Sequence, residues 1–279
     1  MKEKVIVLGK GFLGTRVSEE LGYTLVGRDE LDPSDFFALR KYLEFEKPGV
    51  IVNAIAKTGR PNVDWCESNH GMTIESNVLV PANLSRLSEE LGIYFVHLSS
   101  GCIYSGDNKG GGFRESDKPN FYGPQFYAIT KILAEQILDG RPSLILRPRM
   151  PIDANPHPRN LITKLAGYAR VIDEQNSMTT VPHMIYALRK LIERRATGVY
   201  NFVNPGTISA VEIMQMYKEI VDPSHSFDMM SLNQLDKITK ARRSNCYLNT
   251  DKLKAEGIIL PEIHEAVRHC MISYAKSGV

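Results

Sequence analysis

The chain has 279 residues, enough for one large domain or two closely packed ones around a full apolar core. Its hydrophobic content is 43% and its charged content 24%, ordinary for a soluble globular protein, and a net charge of +2 gives no electrostatic case for nucleic acid or an anionic membrane. The apolar run in MKEKVIVLGKG is too short for a signal peptide or a membrane span, and the four cysteines, Cys66, Cys102, Cys246 and Cys270, show no CxxC or zinc spacing. A cytoplasmic protein with free thiols and no metal site is expected.

Lys4–Leu8 reads as a buried parallel strand entering a glycine-rich turn, Gly9-Lys10-Gly11-Phe12-Leu13-Gly14. An amphipathic stretch through Leu21 and a second strand, Tyr23–Val26, follow. GxGxxG between a strand and a helix is the dinucleotide fingerprint. The first glycine permits the tight turn, the second lets a pyrophosphate reach the backbone, and the third lets helix pack on strand, with the helix N-terminus facing the phosphates. All six residues of the motif are cofactor-binding candidates. The second strand ends in Val26-Gly27-Arg28, where NAD sites usually carry an acid. Arg28 is suited to pair with a 2′-phosphate, with Lys10 as a second cation, which favours NADP(H). The alternative leaves Arg28 as a solvated loop charge, lets Asp29 serve the ribose, and takes NADH.

Asp32-Pro33-Ser34 is expected to start a helix that ends near Lys47-Pro48-Gly49. Val50–Val52 is a strand running into Asn53-Ala54-Ile55-Ala56, where small residues let a cofactor lie against the backbone. The polar loop Lys57–His70 is long enough to carry function. A helix is expected over Thr73–Leu91, with Asn77 a further cofactor-binding candidate, and then a strand over Ile93–Leu98. A helix through Leu138 and a strand over Ser143–Leu146 precede Arg147-Pro148-Arg149-Met150-Pro151, where the βα rhythm breaks. Later helices are expected over Asn160–Ala169, Met184–Arg194, Ala210–Val221, Leu232–Lys240 and near Pro261–Ala275, with one more strand over Val199–Val203. The fold class is α/β: a Rossmann-type doubly wound parallel sheet over residues 1–148, with about 182–204 returning to it. Residues 149–181 and 205–279 would form a smaller, mainly helical substrate-binding cap.

Chemistry concentrates between Leu98 and Lys131. Tyr127 and Lys131 are four residues apart, so they share a helix face. A phenol beside an ammonium is a tuned proton donor, because the positive charge favours the ionised phenol and lowers its pKa. Ser100, at the end of the preceding strand, is placed to hydrogen-bond a substrate carbonyl. This trio resembles the catalytic set of the short-chain dehydrogenase/reductase superfamily, in which Tyr127 and Lys131 also touch the cofactor. A second YxxxK, Tyr186 to Lys190, lies far from the serine-bearing strand and is read as incidental.

Longer segments narrow the resemblance: TGRPNVDWCES (58–68), SGCIY (100–104), FRESDKPNFYG (113–123), RMPID (149–153), NPHPRNLITK (155–164), NSMTTV (176–181), GVYNFVNPGTIS (198–209) and RSN (243–245). These resemble the bifunctional nucleotide-rhamnose synthase/epimerase-reductases, best known from plants. The resemblance implies NADPH-dependent 3,5-epimerisation and 4-keto reduction of UDP- or dTDP-4-keto-6-deoxy-D-glucose to the nucleotide-L-rhamnose, in what is by analogy with relatives a homodimer. It also implies that Cys102 is a thiolate base and Lys164 its partner acid, since inverting C3 and C5 beside a C4 ketone needs a proton removed from one face and returned from the other. Related GDP-fucose synthase has a cysteine at the matching place, whereas simple 4-keto-rhamnose reductases lack it and carry Asp where this chain has Gly101. Without the resemblance, Cys102 reads equally well as a small buried apolar side chain. Arg243 is the candidate diphosphate clamp, and Arg60, Asn62, Arg149 and Asn160 are candidates for the sugar or nucleotide pocket. Two other readings compete: a monofunctional dTDP-4-dehydrorhamnose-type reductase, and a non-catalytic NADP-binding regulatory subunit on the same fold.

Overall fold

The structure is a computed structural model that describes residues 3–123 and 125–277. The first half alternates strand and helix: β1 (Val5–Leu8), α1 (Phe12–Leu21), β2 (Thr24–Val26), α2 (Phe36–Glu46), β3 (Val50–Asn53), α3 (His70–Ile74), α4 (Val80–Leu91), β4 (Tyr94–Leu98), α5 (Phe126–Leu138) and β5 (Ser143–Arg147). The second half runs α6 (Leu161–Ala166), β6 (Arg170–Ile172), α7 (Val181–Glu193), β7 (Gly198–Asn201), α8 (Ala210–Ile220), β8 (Asp228–Met230), α9 (Leu232–Asp236), α10 (Asp251–Ala255) and α11 (Ile263–Ala275).

Six strands form one parallel sheet in the order β2-β1-β3-β4-β5-β7. The fold is therefore of the doubly wound α/β class that the strand–helix alternation implied. Strand order reverses between β1 and β3, which opens a crevice at their carboxyl ends, the place where such sheets take ligands. The strands are near-continuous apolar runs because both faces are covered. Ile6, Leu8, Ile51 and Phe95 pack toward α2 and α4, while Val7, Val52, Val96 and Leu144 pack toward α1 and α7. A separate core, with Ile162, Leu165, Ile213, Met214, Val267 and Tyr274, lies among α6, α8 and α11. A three-residue pair of strands, β6 and β8, forms a small parallel ribbon in this second lobe. Strands this short leave no periodicity to read. No helix among the described residues is long and apolar enough to cross a membrane.

Two local expectations are corrected. Asp32-Pro33-Ser34 does not begin a helix: Asp32 Oδ1 accepts from the Ser34 amide at 3.0 Å and the Ser34 hydroxyl at 2.7 Å, closing a turn. Asp35 caps α2 instead, its Oδ1 accepting from the Phe37 and Ala38 amides at 3.0 Å each. The helix expected from Thr73 begins at His70 and widens into a π turn over Glu75–Leu79. Pro81, in the first turn of α4, has no N–H to give the carbonyl of Asn77, so the ladder slips there by one residue. Asp35→Ala is expected to lower the free energy of urea unfolding by about 1 kcal/mol, and a variant as stable as the parent would remove the cap assignment.

Candidate active site

A cleft of about 1500 Å³ opens at the carboxyl ends of β1, β3, β4 and β5 and runs under the second lobe. That exceeds the usual span of a single small-molecule pocket, roughly 300–1,000 Å³, and leaves room for two ligands side by side. The fingerprint loop, the serine loop after β4, the start of α5 and the N-terminal part of α6 all line it.

Gly9 sits at φ +112°, a conformation that favours glycine, and a side chain there would press on Ala54 and Ile55 at 3.1 Å. A Cβ at Gly14 would lie 2.1 Å from the Gly9 carbonyl oxygen, so α1 packs against the turn only with glycine in that place. At Gly11, by contrast, a Cβ would meet nothing within 4 Å. This glycine faces open cleft and caps α1 without any side-chain acceptor. The first-turn N–H groups of α1 are thus presented to whatever lies over the loop. Lys10, Gly11, Phe12 and Leu13 line the cleft, as do Ala54 and Ala56. Ile55 is fixed from behind, its amide donating to Asn53 Oδ1 at 3.0 Å. Arg28 stands outside the lining, paired with Asp32 and Glu75 at 3.0 Å each. Lys10 pairs with Asp29 at 3.2 Å and Glu30 at 2.6 Å. A 2′-phosphate on either cation would compete with these carboxylates.

At the reacting centre Ser100 is buried at the end of β4, and its Oγ accepts from the Cys102 amide at 3.1 Å. Tyr127 and Lys131 enter on α5, with the lysine Nζ 5.9 Å from the centre of the phenol ring. The ammonium donates to the Leu98 carbonyl at 3.1 Å. The expectation of a lowered phenol pKa is corrected. Burial pushes the Tyr127 phenol well above its ordinary value, with a hydrogen bond to Ser100 working the other way. Burial also pulls Lys131 down to about 8, against the opposing charges of Glu135 and Cys102. The lysine's charge is itself disfavoured here and is aimed at a backbone carbonyl rather than at the phenol. Cys102 is half-buried and lines the cleft from the sheet side. Lys164 lines it from α6 and is held below its ordinary pKa by burial and by nearby Arg159. Tyr186 is exposed on α7, and Lys190 pairs with Glu193, so the second YxxxK stays outside the cleft lining.

Among the substrate candidates, Arg60, Asn62, Arg149 and Arg243 line the cleft. Arg60 is exposed, Asn62 caps the short 3-10 helix Val63–Ser68 by accepting from the Asp64 amide at 2.8 Å, and Arg243 pairs with Asp64 at 2.8 Å. Arg149 lines the cleft with its donors engaged inside the protein, and Asn160, absent from the cleft wall, is corrected. Arg149 is 1% exposed, and every N–H of its guanidinium has a protein acceptor: Gly101 O at 3.1 Å, Ser244 Oγ at 2.8 Å, Ser244 O at 2.9 Å, Asn176 Oδ1 at 2.6 Å and Ser177 O at 3.2 Å. It is a strut rather than a ligand hand. Asn160 is fully buried, capping α6 and donating to the carbonyls of Asp153 and Asn155 at 2.9 and 2.8 Å. The cofactor candidates Asn53 and Asn77 also spend their amides internally: Asn53 on His97 Nδ1 at 3.0 Å, Asn77 on both backbone groups of Lys57 and on Thr130 Oγ1 at 3.1 Å. They brace the loop after β3 and are absent from the cleft wall.

Sequence reasoning missed the contacts that join the lobes. Arg16 on α1 pairs with buried Asp153 at 2.8 Å, the Phe12 ring stacks on His157 at 4.6 Å, and Arg159 donates to the Thr58 hydroxyl at 2.7 Å. The partners are far apart in the chain, so no local pattern announces them. Arg149→Met, which strands several buried acceptors, should cost at least about 3 kcal/mol of stability in urea unfolding. Arg243→Met, at a partly exposed pair, should cost no more than about 1 kcal/mol. Equal losses would show that Arg149 is not a strut.

The sequence profile of the RmlD substrate binding domain matches residues 3–276. A bifunctional dTDP-4-dehydrorhamnose 3,5-epimerase/dTDP-4-dehydrorhamnose reductase of Arabidopsis thaliana is 40% identical over 232 residues, 81% of this chain and 77% of the relative. The chain spans 41% of the length of two trifunctional Arabidopsis thaliana relatives that it also matches. The crystal structure of the L780 UDP-rhamnose synthase from Acanthamoeba polyphaga mimivirus superposes with a TM-score of 0.90 at 32% identity, covering 97% of this chain and 99% of that one. A dTDP-4-dehydrorhamnose reductase from Bacillus anthracis, solved in complex with NADP, has the same fold at 21% identity and a TM-score of 0.82, with 98% of each chain covered. With a profile match across nearly its whole length, the chain belongs to the RmlD substrate binding domain family.

Proposed function

We propose that the chain is an NADPH-dependent nucleotide-sugar 3,5-epimerase and 4-reductase that converts UDP- or dTDP-4-keto-6-deoxy-D-glucose to the nucleotide-L-rhamnose. The observation that carries this reading is the meeting, in one cleft, of Ser100, Tyr127 and Lys131 with Cys102 on one lobe and Lys164 on the other. The names of the relatives support the same chemistry. In this reading residues 1–148, with about 182–204, hold the dinucleotide. Residues 149–181 and 205–279 hold the sugar nucleotide.

The open face at Gly11 and the uncapped start of α1 fit a pyrophosphate, and Lys10, on the cleft wall, is the cation offered to a 2′-phosphate, with Arg28 outside the lining as the second candidate. The nicotinamide supplies the hydride that reduces C4. Ser100 and Tyr127 hydrogen-bond the C4 oxygen, which draws electron density from C3 and C5 and holds the enolate formed when either loses a proton. Cys102 takes that proton as its thiolate and Lys164 returns one from the opposite face; exchange with solvent then strips the thiol and reprotonates the amine before the second centre is inverted, so epimerisation consumes nothing. A lysine that burial and Arg159 hold below its ordinary pKa gives up a proton more readily near neutrality. Tyr127 then protonates O4 as the ketone is reduced, with Lys131 beside it. Of the original substrate set on the cleft wall, Arg149 has its guanidinium engaged within the protein, and Arg243, Arg60 and Asn62 would grip the diphosphate and sugar.

Incubation in D2O with UDP- or dTDP-4-keto-6-deoxy-glucose and NADPH should consume NADPH and place deuterium at C3 and C5 of the rhamnose product. NADPH oxidation confined to pre-epimerised ketosugar would indicate a reductase alone. Tight NADPH binding without turnover would indicate a regulatory subunit, and equal rates with NADH would remove the 2′-phosphate assignment. Cys102→Ser should slow epimerisation about 100-fold or more while sparing reduction of pre-epimerised ketosugar. Tyr127→Phe should slow reduction on the same scale of about 100-fold. An unimpaired variant would remove the corresponding role.

A further inference from the structure

Glu135 stands one helical turn beyond Lys131 and two beyond Tyr127 on α5, on the face that carries both. It is absent from the cleft wall and is 9% exposed. Arg147 on β5, 4% exposed, meets it in a fork: Nη2 to Oε2 at 2.6 Å, and Nε to both oxygens at 3.1 Å. The Ser99 hydroxyl donates to Oε1 at 2.5 Å. Arg147 also donates to the Tyr104 hydroxyl at 3.0 Å, at the far end of the serine loop. One carboxylate therefore joins the helix of Tyr127 and Lys131 to the neighbour of Ser100 and to both ends of the loop that carries Cys102.

A buried ion pair is weak evidence of a need for stability, because well-packed apolar residues of similar volume often serve as well. The surroundings of Lys131 supply a chemical role. Its side chain is fully buried, and the Leu98 carbonyl is its hydrogen-bond acceptor. Facing it are His97 from β4, kept neutral by burial and by the lysine itself, Cys102 from the serine loop, and Tyr127 and Glu135 from α5. Arg147 reaches this group from β5 through Glu135. Among these neighbours two groups offset burial of the ammonium, the carboxylate of Glu135 first and Cys102 after it.

We propose that Glu135 is a positioning residue for the reductive step: its carboxylate fixes Ser99, and with it the serine loop, against α5 and supplies the buried countercharge for the ammonium of Lys131. The proposal rests on the roles assigned above to Tyr127, Lys131 and Ser100. Glu135→Gln keeps an oxygen for Ser99 and removes the charge. In protein labelled with 13C-lysine, with the Lys131 signal identified by Lys131→Met, its titration midpoint should fall by about one pH unit in Glu135→Gln. Turnover of NADPH with pre-epimerised ketosugar at pH 8 should fall about tenfold or more. NADPH affinity should stay within about threefold, and Glu135→Asp should regain most of the rate. Because Glu135→Gln leaves Arg147 buried without its anion, the same titration on Glu135→Gln/Arg147→Met guards against a variant that fails to fold, and the same fall is expected. An unchanged Lys131 midpoint overturns the proposal. The titration needs no turnover, so it stands apart from the wild-type assay, whose failure would count against the proposed reaction instead.

Discussion

A buried guanidinium must find an acceptor for every N–H it carries, and in this fold that demand is met by Arg149. Desolvating the charge is expensive unless each donor is satisfied. The acceptors are gathered from the serine loop, from residues 176–177 of the second lobe, and from Ser244 beside Arg243. The loop that carries Cys102, the cap and the RSN segment are therefore pinned to one point. The same strut explains Gly101. A Cβ there would lie 2.6 Å from Leu248 and 2.7 Å from the stem of Arg149, so the residue beside the cysteine has to be small for the arginine to pass beneath it. An aspartate at that place would require a different path for the arginine or the loop. Gly101 and Arg149 thus form one steric unit, and Cys102 is held by it.

Burial also governs proton chemistry in the cleft. It raises Tyr127, lowers Lys131 to about 8 and lowers Lys164, in each case by disfavouring the charged form. The shift brings the two lysines toward working pH, where a group both gives and takes a proton well, and holds the phenol in its protonated, donating form. Lysines are suited to this because their charge is lost, not gained, on burial. The arginines behave differently. Arg147 and Arg149 keep their charge under the same burial, and the fold answers with a carboxylate for one and a full set of neutral acceptors for the other. Lys131 and Lys164 can thus shed their charge where they stand, whereas Arg147 and Arg149 brace the fold with theirs.

The fold class was legible because its signals are local. The runs KVIVL, VIV and SLIL mark strands buried on both faces, and the glycine spacing marks the turn between β1 and α1. The β6–β8 ribbon escaped because three-residue strands carry no period, and the start of α2 was misplaced because two aspartates, Asp32 and Asp35, both carry capping chemistry. At the site, residue type was readable but residue availability was not. Arg149, Asn160, Asn53 and Asn77 have the right chemistry for a ligand, yet their donors are satisfied by backbone groups and side chains, from distant segments for three of them and from the loop just before it for Asn160. The sign of the Tyr127 shift was missed for a related reason: the i, i+4 spacing brings the lysine near but says nothing of how dry the place is.

A proton removed from one face of a sugar and returned from the other sets a demand on the distance between two groups, and here those groups would belong to different lobes. Cys102 is anchored to the sheet through Ser100 and the Arg149 strut. Lys164 rides on α6, whose cap, Asn160, ends the segment that begins at Asp153. That segment is held to the sheet lobe by contacts of three kinds: the Arg16–Asp153 ion pair to α1, the Phe12–His157 stack to the fingerprint loop, and the Arg159–Thr58 hydrogen bond to the loop after β3. Each falls on an element that lines the cleft. A ligand that moves the fingerprint loop therefore acts on Phe12, through Phe12 on His157, and through the short run to Asn160 on the helix of Lys164. In the proposed reaction the group that returns the proton would therefore ride on a segment braced against the fingerprint loop, although epimerisation would consume no reductant.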